Sequence, residues 1–126
     1  TGKTNELVAA VRSRREVSQE AFDRVFDQMD ALSRSGAAAL RAENWVELGT
    51  AMNLCHGLLN AIGVSTLGLE NMVYLARQAG AVGAKLTGAG GGGSIVALCP
   101  QRITEVRDAM QAAGYQTLVL ANEDST

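Results

Sequence analysis

Val82-Gly83-Ala84-Lys85-Leu86-Thr87-Gly88-Ala89-Gly90-Gly91-Gly92-Gly93-Ser94-Ile95-Val96-Ala97-Leu98-Cys99-Pro100 is the stretch on which the fold turns. Val82 to Thr87 reads as a short strand. Ser94 to Cys99 is a continuous apolar strand, closed by the single proline of the chain, Pro100. Between them, Gly88 to Gly93 cannot be regular structure. Two strands joined by so short a loop pair antiparallel. Five glycines in six residues cost the folded chain about 0.5–1 kcal/mol each relative to alanine, so stability does not explain them. Glycine lets backbone approach a ligand closely, and consecutive N–H groups can line one concavity that binds an anion, phosphate above all. The plainer alternative is a flexible hairpin connection, although hairpins rarely use so many glycines.

Outward from this stretch the periodicity is helical. On the C-terminal side, Ile103, Val106 and Met110 predict a helix between Gln101 and Ala113 with Gly114 as its stop; Tyr115 to Leu120 reads as a last strand, and Asn122 to Thr126 as a polar tail. On the N-terminal side, a helix starts near Ser65 or Thr66, buries Leu69, Met72, Val73 and Ala76, and stops at Gly80. Before it, Asn44 and Glu47 form a capping-box pattern opening a helix with Leu48, Met52, Cys55, Leu59 and Ile62 on one face, ended by Gly63. Ser18 opens a longer helix striped with Phe22, Val25, Phe26, Met29 and Leu32, and Thr4 can cap one over Asn5 to Arg15. The order is four helices, strand, glycine loop, strand, helix, strand. This is an α+β domain, with helices packed on one face of a small antiparallel sheet in a ferredoxin-like split β-α-β arrangement. A sheet of this kind usually wants another strand before residue 1, so the chain reads as part of a longer protein.

Composition narrows the function. A chain of 126 residues, 47% apolar, can bury a core without staples. A net charge of −2 gives no basic field for nucleic acid or anionic lipid. Arg12, Arg14 and Arg15 cluster beside Glu16 and Glu20 and read as a solvated helix end. Two isolated thiols, Cys55 and Cys99, suggest a reducing compartment more than a disulfide framework. No apolar run reaches the roughly 18 residues of a membrane span, and no secretory signal opens the chain. A cytoplasmic domain is expected. From Leu48 to Gln101 the only charged residues are Glu70, Arg77 and Lys85; polar groups in that middle therefore have a reason to be there.

Two familiar phosphate motifs do not fit. Gly88, Gly90 and Gly93 satisfy G-x-G-x-x-G, but the dinucleotide fingerprint needs a helix directly after the glycines, and Ile95-Val96-Ala97-Leu98 is a strand. Gly2-Lys3-Thr4 imitates the end of a P-loop, yet no parallel α/β succession follows.

Ala84 to Ser94, Ala-Lys-Leu-Thr-Gly-Ala-Gly-Gly-Gly-Gly-Ser, closely resembles the third signature motif of the galactokinase, homoserine kinase, mevalonate kinase and phosphomevalonate kinase (GHMP) superfamily. Met52 to Ser65, Met-Asn-Leu-Cys-His-Gly-Leu-Leu-Asn-Ala-Ile-Gly-Val-Ser, looks like the helix that precedes it in mevalonate kinases. Thr4-Asn5-Glu6-Leu7-Val8 resembles the start of their C-terminal domain. Ser94 departs from the cysteine found in many relatives and leaves the acceptor open. The resemblance implies that residues 1–126 form the C-terminal domain of a two-lobed kinase. It would use ATP and Mg²⁺ to phosphorylate a small-molecule alcohol, mevalonate first. Its partner would be an N-terminal lobe holding the catalytic aspartate, its lysine and the main phosphate loop, so that no catalytic residue and no metal ligand falls in this chain. Lys85 to Ser94 would line the cleft from the opposite side. The chain alone should then turn over nothing and hold no cofactor tightly, and it has the option of self-association.

The expected substrate and phosphate site is Lys85, Thr87, Gly88, Ala89, Gly90, Gly91, Gly92, Gly93 and Ser94. Lys85 can neutralise phosphate or snorkel to solvent. Thr87 and Ser94 can offer hydroxyls to phosphate or cap strand ends. Gly49, Asn53, His56 and Asn60 form a second, polar or small stripe beside the apolar one. Asn53 and His56 on it can face the cleft or bond a neighbouring element; for His56, without an evident base partner, the structural role is favoured. Trp45, Phe22 and Phe26 belong to apolar faces, and Asp23, Asp27 and Asp30 to the solvent side of their helix. Two alternatives remain: a superfamily kinase for another alcohol, such as phosphomevalonate or a sugar, or a stand-alone binding module that kept the fold and its loop.

Overall fold

The computed structural model describes residues 2–88 and 93–120. Among the described residues the order is five helices and one strand pair: α1 Gly2–Val17, α2 Gln19–Arg41, α3 Trp45–Ala61, α4 Leu67–Ala79, β1 Gly83–Leu86, β2 Ile95–Leu98 and α5 Ile103–Ala112. The boundaries follow the local chemistry. Asn44 caps α3 by accepting from the Glu47 N–H, and Thr66 caps α4 by accepting from that of Leu69. Gly80 ends α4 at φ 126°, a left-handed geometry that side chains resist. Ser18 separates α1 from α2 without a side-chain cap bond. Gly2-Lys3-Thr4 lies at the start of α1, but the strands among the described residues are a single antiparallel pair, so the P-loop likeness is incidental.

β1 and β2 pair antiparallel, with Gly83 opposite Leu98, Ala84 opposite Ala97, Lys85 opposite Val96 and Leu86 opposite Ile95. The apolar stripes meet in two clusters. Val73 and Ala76 of α4, Ala84 of β1, and Val106 and Met110 of α5 form one, with Tyr115 packed against it. Ile62, Val64, Leu69 and Leu86 form the other, under Val11, Phe22, Val25, Phe26 and Met29 of α1 and α2. Leu69, Leu86 and Val73 are the largest fully buried side chains, and each stabilises the fold by about 1.5–3 kcal/mol. Phe22 and Phe26 meet edge to face with ring centroids 6.4 Å apart. In the arginine cluster Arg12 and Arg14 are exposed and Arg15 is half-buried. Arg15 pairs with Asp23 at 2.8 Å, and Arg14 donates to the Ile62 carbonyl at 3.1 Å, tying α1 to the end of α3.

The α+β class stands, but the expected last strand does not form: among the described residues the sheet has two strands. Tyr115 is held by its N–H donating to the Met110 carbonyl at 3.0 Å. Beyond it, Leu118 and Leu120 are each 84% exposed. A strand exists only through a ladder to a neighbour, and this apolar run lies beside none. Among the described residues no helix is long and apolar enough to cross a membrane.

Candidate functional site

The glycine loop opens from the end of the strand pair. The Thr87 N–H donates to the Ser94 carbonyl at 3.1 Å, and the two hydroxyls share a hydrogen bond at 2.8 Å. Thr87 and Ser94 thus close the ladder and carry exposed hydroxyls at the mouth of the loop. Gly88 and Gly93 flank it with φ of 64° and 74°, and a Cβ on either would meet nothing within 4 Å. Conformation, not crowding, selects glycine at these two positions. Ala89, Gly90, Gly91 and Gly92 lie outside the described residues. Lys85 is half-buried and alternates with Ala84 and Leu86, so it takes the other face of β1. A shallow groove of ≈ 390 Å³ between α1 and α2, lined by Val8, Val11, Arg12, Arg15, Glu16 and Phe26, contains none of the expected site residues.

Most of the second stripe of α3 packs against the strand pair. Gly49, Asn53 and His56, spaced four and three apart, share a helix face, and that face lies along the outer edge of β1. Gly49 permits the approach: a Cβ there would sit 2.4 Å from the Val82 carbonyl oxygen, and one on Gly83 would sit 2.6 Å from the Gly49 Cα. At this distance Asn53 Oδ1 accepts from the Ala84 N–H at 3.0 Å, and Asn53 Nδ2 donates to the Val82 carbonyl at 3.2 Å. His56 Nδ1 accepts from the Leu86 N–H at 3.0 Å. His56 is 2% exposed. Asn60 at the end of the stripe stays exposed.

Sequence reasoning missed what holds these two side chains. Arg77 of α4 donates from Nε to Asn53 Oδ1 at 2.9 Å and from Nη2 to the Ala84 carbonyl at 3.0 Å. His56 Nε2 meets the Glu70 carboxylate, which also accepts from the Ser65 hydroxyl at 2.6 Å. Since Nδ1 accepts from a backbone N–H, the ring proton belongs on Nε2, facing Glu70. Burial pushes the Glu70 carboxyl up. The hydrogen bonds from Ser65 and His56 and the nearby Arg77 charge outweigh it and hold the group below the usual glutamate range. The base partner that seemed lacking for His56 is therefore Glu70, 14 residues on. The available signal was charge placement: Glu70 and Arg77 are two of the three charges between Leu48 and Gln101, and both serve this edge.

Among the described residues no group of three or more His, Cys, Asp or Glu side chains could hold a metal ion. Cys55 and Cys99 are free thiols, and burial pushes the Cys99 thiol up, away from reactivity. The arrangement is thus an open glycine turn on a strand pair whose outer edge is clamped by two helices.

Known proteins resemble the chain along most of its length. A family model described as GHMP kinases C terminal matches residues 37–116. The chain is 44% identical over 124 residues to a mevalonate kinase of Thermococcus sibiricus, covering 94% of this chain and 37% of that protein. It is 47% identical over 119 residues to a mevalonate kinase of Pyrococcus horikoshii, covering 90% and 36%. The crystal structure of L. major mevalonate kinase in complex with R-mevalonate superposes with a TM-score of 0.80 at 31% identity, over 86% of this chain and 34% of that one. The chain spans little more than a third of the length of these relatives.

Proposed function

The chain belongs to the GHMP kinase family, matching its C-terminal region, and from that premise we propose that residues 1–126 serve as the C-terminal domain of an ATP-dependent mevalonate kinase. The observation that carries this is the glycine turn: Gly88 and Gly93 hold left-handed backbone with open space around them, in a chain 44% identical to a mevalonate kinase along 94% of its length. In this role the loop offers backbone N–H groups to phosphate or substrate oxygens, Lys85 adds positive charge nearby, and Thr87 and Ser94 offer hydroxyls. Phosphoryl transfer depends mostly on positioning and charge neutralisation. The catalytic aspartate, its lysine and the main nucleotide loop belong to an N-terminal lobe in this proposal. In this proposal Mg²⁺ sits on the nucleotide and that lobe. The kinase works in the cytoplasm in isoprenoid synthesis, without nucleic acid or membrane, and self-association remains open to it.

The test is turnover by the full-length enzyme with ATP and Mg²⁺, offered mevalonate, phosphomevalonate, homoserine and galactose in parallel. Mevalonate-dependent ADP release at about 1 s⁻¹ or faster is expected, with none from residues 1–126 alone. A higher kcat/KM for another acceptor moves the assignment within the superfamily. Turnover by the 126-residue chain itself overturns the division of labour.

A further inference from the structure

His56 is a buried titratable group that the proposed reaction does not use. It lies on α3, but its ring meets two other elements: Nδ1 accepts from the Leu86 N–H of β1, and Nε2 faces Glu70 in the first turn of α4. Leu86 is the last residue of β1. The next two are Thr87, bonded to Ser94, and Gly88, the first left-handed residue of the loop. The ring therefore pins the backbone one residue before the ladder closes and two before the turn begins. Its hold depends on the tautomer, because only an unprotonated Nδ1 can accept from Leu86. Glu70 selects that tautomer by accepting a hydrogen bond from the Nε2–H, and the Ser65 hydroxyl fixes Glu70 in turn at 2.6 Å.

We propose that His56 is a positioning residue for the glycine loop, with Ser65 and Glu70 aligning its ring so that Nδ1 fixes the Leu86 backbone from which the loop departs. The kinetic part of this proposal rests on the kinase function above, whereas its structural part does not.

Two variants separate the bonds. In His56→Asn the side-chain oxygen takes the place of Nδ1 and keeps the acceptor for Leu86. In His56→Gln the amide reaches toward Glu70 and the Leu86 N–H loses its partner. Amide hydrogen exchange of the full-length enzyme is followed over residues 86–94, with kcat and each KM measured per folded molecule. His56→Gln is expected to speed exchange in that segment about tenfold, and to lower kcat/KM by a similar factor with a raised KM, as for one lost buried hydrogen bond. His56→Asn is expected to keep most of both. Glu70→Ala, at a partly exposed position, provides a second route if the His56 variants fold poorly; it should speed exchange over 86–94 with unchanged packing elsewhere. Equal behaviour of His56→Asn and His56→Gln, or activity lost only in proportion to unfolded protein with every KM unchanged, overturns the proposal. So does wild-type exchange over 86–94 in Glu70→Ala. If the wild-type enzyme does not phosphorylate mevalonate, the functional assignment falls and the exchange data still decide the positioning role.

Discussion

Replacing Gly49 with alanine places one methyl group at the closest approach of helix and strand. The new Cβ would lie 2.4 Å from the Val82 carbonyl oxygen and 2.7 Å from its carbon, both backbone atoms that no rotamer change can move. Restoring ordinary contact requires α3 to retreat from β1 by about 1 Å. The bonds from Asn53 to Ala84 and from His56 to Leu86, each 3.0 Å, would then stretch toward the limit of hydrogen-bonding range. Overpacking costs about 1–3 kcal/mol, and each buried donor left unpaired costs a further 1–3, roughly. The better helix propensity of alanine returns about 1 kcal/mol. With the bonds weakened and not wholly lost, the net cost is about 3 kcal/mol, a fall in Tm of roughly 10–15 °C for a chain of this size. Gly57→Ala is the matched control on the same helix, because a Cβ there meets nothing within 4 Å; it should stabilise by up to about 1 kcal/mol. Thermal and urea denaturation of the two variants decide the matter. If Gly49→Ala is as stable as Gly57→Ala, the close approach does not set the position of α3, and the account of the clamped edge fails.

Gly88→Val should cost about 1–2 kcal/mol of stability through strain at positive φ, while kcat/KM of the full-length kinase falls at least tenfold, roughly; full activity in a destabilised protein would make the turn a packing device. Because the folded Glu70 carboxyl titrates below its unfolded value of about 4.3, it contributes stability above that pH that is lost as pH falls through the folded value. Glu70→Gln should therefore flatten the decline in unfolding free energy between about pH 5 and 3, and an unchanged slope would refute that contribution. Thr66→Ala removes the side-chain cap of α4 and should destabilise by about 1 kcal/mol, measured by urea denaturation; no change would show the cap to be idle.

The helices were legible because each carries its own punctuation. Asn44 with Glu47, Thr66, Gly63 and Gly80 mark ends through local bonds and local φ, which sequence records directly. The hairpin was legible for the same reason, since two β-rich runs around a glycine stretch have few other options. Tyr115 to Leu120 looked like a strand because side-chain preference is local, whereas pairing requires a vacant edge that sequence does not display. The clamp was half visible: the spacing of Gly49, Asn53 and His56 gave the face, but not the strand it meets. Its outer half, Glu70 and Arg77, lies 14 and 24 residues from its partners, and only their isolation among uncharged neighbours hinted at a task.

The side chains along β1 also decide where this sheet can grow. The Val82 carbonyl, the Ala84 N–H and carbonyl, and the Leu86 N–H all face away from β2, and each is occupied by Asn53, Arg77 or His56. An unpaired strand border is an invitation to a second chain, and proteins commonly blunt it with charges, bulges or proline. Here three buried or half-buried side chains occupy the seats that an intruding strand would need. Docking there would require breaking four hydrogen bonds before making one. Intermolecular strand addition is therefore barred on the β1 side, and any extension of this sheet, by its own chain or another, must begin at β2.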